Sequence, residues 1–396
     1  MNKKILIPSS SPRKDSNSDA LAEKKARCRK GCSMNKLGFG FLRLPKNGEE
    51  IDYSLLNQMV DHFLSHGGTY FDTAYTYMDG KSEIAIRESL VKRHPRESFC
   101  LADKLPSWKV TSHGDCKRYF EEQLNRCGTE FFDVYLLHWL NRDNYKICEK
   151  YDEFGFLREL KESGKTKKIG FSYHDSASLL DEILTAHPEV DIVQLQINYL
   201  DWDSTAIEAG NCYQAAKKHG KSIVVMEPVK GGTLASLPAE AEAIFKKIHP
   251  DQSMASWALR FAQSLSQVEV VLSGMNTMEQ MMDNLRDVLP LTEEEQAAIH
   301  HAAAIITAQT AVPCTGCRYC ESHCPKNIAI PDYFAMYNEI RRYPGDDWKI
   351  KPAYNTLAAR HGNASDCIGC KSCERHCPQH LPITDYLVQV ARVFGH

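Results

Sequence analysis

Between residues 34 and 290, short apolar runs alternate with stretches whose apolar positions recur every three or four residues. The runs are Leu37–Phe41, Tyr70–Thr73, Phe99–Asp103, Phe132–His138, Lys168–Ser172, Ile192–Gln196, Ile223–Met226 and Val268–Ser273. Each is too short for a helix and is flanked by polar or turn-forming residues, so each predicts a buried strand. Helical periodicity marks Tyr53–Ser65, Glu83–Arg93 and Ala206–His219 between them. Eight strand–helix units, about thirty residues each, predict an α/β fold of the (β/α)8 TIM-barrel class, which takes about 250 residues. An open doubly wound sheet is the alternative. Against it, no Gly-x-Gly-x-x-Gly follows a strand to open a helix, and the LGFGF of 37–41 lies within a strand.

The flanks read differently. Residues 1–33 are Lys- and Ser-rich, predicting a polar disordered tail in which Cys28 and Cys32 are a stray pair; Met34 is an alternative start. Thr292 with Glu295 resembles a capping box, so a helix over 293–308 is expected inside a connector at 291–311. Residues 312–396 remain for a small, mainly helical domain whose middle carries Pro344 and Pro352.

That last segment holds a repeated signature: Cys314-x2-Cys317-x2-Cys320-x3-Cys324-Pro325, then Cys367-x2-Cys370-x2-Cys373-x3-Cys377-Pro378. The spacing is that of two-cluster bacterial ferredoxins, in which the fourth Cys of each arm ligates the other cluster. It predicts two [4Fe–4S] clusters, one on Cys314, Cys317, Cys320 and Cys377, the other on Cys367, Cys370, Cys373 and Cys324. Zinc usually takes paired Cys-x2-Cys arms, and disulfides need an oxidising compartment. Fifteen cysteines without an export signal instead suggest a reducing cytoplasm. Cys100, Cys116, Cys127, Cys148 and Cys212 stand at non-motif spacings and read as core fillers.

A formal charge of −3 leaves no electrostatic footprint for nucleic acid or an anionic membrane. The longest apolar runs fall short of the eighteen residues that would suggest a membrane span.

In a TIM barrel, side chains at the C-terminal strand ends face the active site. Here those positions hold Asp72 and Tyr77, then Lys104, then His138. Reducing a carbonyl requires a proton for the developing alkoxide, and a Tyr hydroxyl can supply it. A lysine ammonium held by a carboxylate is expected to lower the phenol pKa, while His138 orients the carbonyl oxygen. Each residue singly has a structural explanation; four at successive strand ends favour a reaction centre.

The segments LGFGFLRLP (37–45), FDTAYTYMDGKSE (71–83), FDVYLLHWL (132–140), KESGKTKKIGFS (161–172), DIVQLQINY (191–199), EPVKGGTL (227–234) and SGMNTMEQMMDNL (273–285) carry a resemblance. The barrel is similar to the aldo-keto reductase family, and the chain resembles its subgroup with a C-terminal ferredoxin-like domain. The resemblance implies NADH or NADPH across the barrel mouth. Ser172 and Gln194 would hold the carboxamide, with Asp72 near the ribose. Pro228, Lys230, Gly231 and Leu234 would follow the pyrophosphate, and Gln280 and Asn284 the adenine end. Met226 stands where relatives stack an aromatic ring on the nicotinamide, and Tyr173 stands where Asn is usual. Gly274 and Gln280 replace the cations that read a 2′-phosphate, so NADH is expected to be accepted at least as well as NADPH.

An aldehyde or ketone substrate is therefore expected, with Trp108, Trp139 and Trp202 as candidate pocket walls. The clusters imply electron transfer, with a redox partner protein as one expectation; no nucleic acid or membrane partner is expected. The alternative is a redox-sensing or electron-carrying protein that uses its barrel only as a nucleotide-binding module.

Overall fold

The computed structural model describes residues 36–204, 207–286, 289–342 and 347–395. The expected tail at 1–33, with Cys28, Cys32 and the alternative start at Met34, lies outside the described residues.

Eight parallel strands close a barrel: β1 (Leu37–Gly40), β2 (Tyr70–Asp72), β3 (Cys100–Leu105), β4 (Phe132–Leu140), β5 (Thr166–Tyr173), β6 (Ile192–Gln196), β7 (Ser222–Met226) and β8 (Val268–Ser273). Closure runs through β1, which pairs Gly40 with Asp72 of β2 and Phe39 with Ser273 of β8. Successive strand residues point to opposite faces, and both faces are covered. Tyr70, Ala102, Val134, Leu136, Ile192, Val224 and Leu272 fill the barrel interior. Alternate residues such as Phe71, Leu101, Tyr135, Leu137 and Val193 pack outward under the helices. This two-sided burial is why the strands read as continuous apolar runs.

Three local features depart from the expected pattern. The helix expected at 83–93 is Lys81–Ile86 continued by a π turn at Arg87–Val91, and the one expected at 206–219 spans Ala209–Lys218. A two-residue hairpin, Lys46–Asn47 with Glu50–Ile51, is too short to leave a periodic trace. β4 runs on to Leu140, carrying Trp139 at φ +64°.

The helix Glu293–Gln309 opens with the Thr292–Glu295 capping box. It is more than a connector. Ala298, Ile299, Ala302 and Ile306 bury against Tyr199, Leu234, Phe245 and Trp257 of the barrel body. Beyond it, helices Ile330–Arg342, Asp347–Ala358 and Ile383–Phe394 enclose a separate core around Tyr333, Phe334, Tyr354, Leu387 and Phe394. Among the described residues no helix is long and apolar enough to cross a membrane.

Candidate active site

The strand ends bring together the four residues the sequence singles out. Asp72 closes β2 and Lys104 lies near the end of β3, both buried. Tyr77 opens the tight turn after β2, and His138 comes up from β4. Lys104 Nζ donates to Asp72 Oδ1 at 2.7 Å, to the Thr73 carbonyl at 2.7 Å and to Tyr77 Oη at 3.4 Å. An ammonium has three protons, and each has an acceptor. The Tyr77 and His138 rings meet edge to face, centroids 5.7 Å apart.

The electrostatics correct one expectation. The Tyr77 phenol is pushed well above its ordinary value, first by burial and then by the Asp72, Glu227 and Asp103 charges, with Arg43 pulling the other way. Asp72 sits 2.7 Å from the Lys104 ammonium, so the pair presents little net charge to the phenol. Tyr77 is thus a fully protonated donor at neutral pH. Burial, then the charges of Lys104 and His174, push His138 well below its ordinary value, which leaves a neutral imidazole.

Asp72, Tyr77 and His138 line a cleft of about 350 Å³. Of the residues expected to hold a nucleotide, Ser172, Gln194, Met226, Pro228, Gly231, Gln280 and Asn284 line it; Lys230 and Leu234 do not. Lys230 turns away into a buried pair with Asp201, 2.5 Å apart, and reaches Gln379 Oε1 at 3.3 Å. Leu234 packs into the apolar cluster with Phe245 and Trp257. None of the three tryptophans expected as pocket walls lines the cleft: Trp108 packs on His138 and Trp139, Trp139 on Tyr319, and Trp202 on Tyr213 and Phe261.

Asp72 Oδ2, His138 Nδ1 and Gln194 Oε1 are buried on cleft-lining residues without a protein partner. Buried polar atoms are normally satisfied, so the cleft fits a ligand bearing hydroxyl and amide groups, as a nicotinamide nucleotide does. Ser172 Oγ accepts from the Trp139 backbone N–H at 2.7 Å, leaving its own proton to donate.

The C-terminal domain forms part of the same cleft through Cys317, Tyr319, Pro378 and Gln379. Its fit to the barrel is close. A Cβ at Gly231 (φ +64°) would lie 2.0 Å from the Thr315 carbonyl oxygen, so only glycine suits that position.

Behind this joint the cysteines fall into two groups. Cys314, Cys317, Cys320 and Cys377 line one small cavity, and Cys324, Cys367, Cys370 and Cys373 line another. None of the eight is in a disulfide. Among the described residues no three His, Cys, Asp or Glu side chains converge on a single ion. Four thiolates could hold a zinc ion as well as an iron–sulfur cluster; the Cys-x2-Cys-x2-Cys-x3-Cys-Pro spacing, with the fourth Cys coming from the other arm, is that of the cluster. Cys116, Cys127, Cys148 and Cys212 are buried and Cys100 is partly buried in the barrel.

Sequence reasoning missed Arg43, Gln196, Glu227 and Asn276 as cleft residues, together with Tyr319, Pro378 and Gln379. Glu227 follows β7 at φ +57° and has a buried, unpartnered carboxylate oxygen. The strand-end rule, applied one residue beyond Met226, would have reached it. Nothing local marks Tyr319, whose spacing between two cysteines predicts a loop but not what the loop faces.

Residues 36–304 match the Aldo/keto reductase family, and residues 313–381 match a 4Fe-4S dicluster domain. An aldo-keto reductase of Mycolicibacterium vanbaalenii is 29% identical over 260 residues, 63% of this chain and 84% of its own length. The glyoxal reductase of Bacillus subtilis is 27% identical, over 49% of this chain and 73% of its own. In fold, the barrel resembles an aldo/keto reductase from Klebsiella pneumoniae solved with NADP and acetate. The TM-score is 0.55 at 20% identity, over 67% of this chain and 90% of that one.

Proposed function

The chain belongs to the aldo/keto reductase family, and on that footing we propose that it interconverts a small carbonyl compound and its alcohol with a nicotinamide nucleotide in the barrel-mouth cleft. One observation carries this reading. A buried Lys104 ammonium touches both Asp72 and Tyr77, which line the cleft together with His138.

The bound nucleotide would supply or accept the hydride. The chain's own residues handle the oxygen. Tyr77, kept protonated by its surroundings, donates its proton to the oxygen as negative charge develops there. Lys104 and Asp72 hold the phenol in place, and neutral His138 donates a hydrogen bond to the same oxygen. Ser172 has a proton for a carboxamide oxygen, and the orphaned Gln194 Oε1 accepts from a carboxamide N–H. Met226, beside Gln194 at 3.6 Å, offers a polarizable platform for the ring. Pro228 and Gly231 border the path of the pyrophosphate, and Gln280 and Asn284 the adenine end.

The two cysteine quartets would hold two [4Fe–4S] clusters, which supply one-electron chemistry. A role in electron transfer is supported by Cys317, which lines both the first cavity and the cleft. Gln379 borders both as well. A hydride moves two electrons at once and each cluster would pass one, so coupling the halves would take a two-electron carrier between them.

The test uses the reconstituted holoprotein under anaerobic conditions. Tyr77→Phe should lower turnover of a test aldehyde by about 10²- to 10⁴-fold while nucleotide still binds; unchanged turnover removes Tyr77 from the chemistry and favours a binding module. NADH should bleach the cluster absorbance. Consumption of NADH by aldehyde without bleaching would mean that the two halves work independently.

A further inference from the structure

We propose that the C-terminal domain sets which carbonyl compounds the site accepts, with Tyr319 as the wall that limits their size. This deepens the reductase reading and rests on it.

Tyr319 lies inside the first cysteine arm yet lines the same cleft as Tyr77 and His138. Its approach is built in. Arg318 sits at φ +65°, and its guanidinium is gripped by Asp332 at 2.6 and 2.9 Å and by Glu321 at 2.7 Å. A non-glycine residue in the left-handed region costs on the order of 1–2 kcal/mol, and the three charge-assisted bonds stabilise it there. The turn delivers the next side chain, Tyr319, toward the barrel mouth.

On the barrel side a second left-handed residue meets it. Trp139 at φ +64° is pinned by Ser172 Oγ on its N–H and by Asn144 Nδ2 on its carbonyl, both 2.7 Å. Its indole stacks on the Tyr319 ring, centroids 5.6 Å apart at 26°. Trp108 closes the row, 5.4 Å from Trp139 and 5.1 Å from His138. Trp108 and Trp139 stand behind the cleft lining and join His138 to Tyr319, which line it, in one packed series of rings. Strained positions kept by such specific bonds are a mark of positioning for function.

The cleft, about 350 Å³, is near the lower end of ligand pockets, which span roughly 300–1,000 Å³. Among the described residues, Tyr319 is the one aromatic side chain that the C-terminal domain adds to its lining, beside Tyr77 and His138. On this proposal the Tyr319 ring limits how far a substituent on the carbonyl can extend.

The experiment compares kcat/KM for propanal and for 2-naphthaldehyde, measured as alcohol formed, in holoenzyme carrying Tyr319→Phe, Tyr319→Leu or Tyr319→Ala. The expected result is a propanal-to-naphthaldehyde ratio that falls at least tenfold in Tyr319→Ala, falls less in Tyr319→Leu and stays within twofold in Tyr319→Phe. Cluster absorbance and nucleotide Kd should match wild type, which a general loss of structure would not allow. Should Tyr319→Ala lose its clusters, the Leu variant carries the test. Intact clusters with an unmoved ratio overturn the assignment to Tyr319 and leave the reductase reading standing. A protein that binds nucleotide but reduces neither aldehyde overturns both.

Discussion

The side chains of Gln196, at the end of β6, and Gln379, in the C-terminal domain, exchange two hydrogen bonds of 3.0 and 2.9 Å. Both amides are buried, and Gln379 also accepts from Lys230 at 3.3 Å. The joint between the halves therefore combines this polar network with the Trp139–Tyr319 ring contact. Removing one partner orphans the others, which costs about 1–3 kcal/mol. Gln379→Ala should lower the denaturation midpoint of the holoprotein and speed protease cleavage after Gln309. Cleavage at the wild-type rate would mean that the joint does not depend on this pair.

Lys104 and Asp72 form a buried ion pair, and deleting one charge strands the other. Lys104→Met should destabilise the protein by about 3–5 kcal/mol in urea, and the double variant with Asp72→Asn should recover part of that loss. A double variant no more stable than Lys104→Met would show that the pair is not the source of the cost.

The family resemblance places Gly274 and Gln280 where relatives carry cations for a 2′-phosphate; Gly274 lines the cleft, and the Gln280 carbonyl oxygen accepts from the Asn276 N–H at 2.9 Å. Fluorescence titration should show NADH binding at least as tightly as NADPH. A Cβ at Gly274 meets nothing closer than 3.7 Å, so Gly274→Lys fits. It should shift the preference toward NADPH by about tenfold, or about 1.4 kcal/mol.

The cysteine groups predict which substitutions act alike. Cys317→Ser and Cys377→Ser, sixty residues apart in the chain, should perturb one cluster signal, and Cys324→Ser and Cys370→Ser the other. Iron content and electron paramagnetic resonance of the reduced protein would check this. If Cys377→Ser disturbed the signal shared by Cys367 and Cys370, each arm would be holding its own cluster.

Stability should fall in mild acid through His138. Its folded value lies well below the ordinary one of about 6.5 because it is buried. Below about pH 6.5 the unfolded chain binds a proton that the folded chain refuses. The contribution is complete above that pH and is lost as pH falls toward the folded value, by at most about 1.4 kcal/mol per pH unit. Urea midpoints at pH 7.5, 6 and 5 should decline more steeply in wild type than in His138→Gln. Parallel declines would assign the acid sensitivity elsewhere.

Local pattern was enough for the barrel. All eight strands, from Leu37 to Ser273, were visible because a strand buried on both faces must be apolar along its length. Strand-end position likewise brought Asp72, Lys104 and His138 into view, since a parallel barrel directs those ends to one mouth. The cysteine arms were legible because chelation imposes spacing on neighbours in the chain.

What the amino-acid order left open were contacts between residues far apart in it. Lys230 was expected along a pyrophosphate, but Asp201 and Gln379 draw its ammonium into the joint. Tyr77 was expected to be acidified, but burial first, and then the carboxylates around it, push the phenol up, while the Lys104 ammonium is already matched by Asp72. Tyr319 became a wall of the cleft only because the C-terminal domain docks on the barrel mouth and lays it against Trp139, 180 residues earlier. Periodicity and spacing report which way a residue faces within its own element. Which elements meet is settled by the summed burial and hydrogen bonding of the folded chain, and no short window of sequence contains that sum.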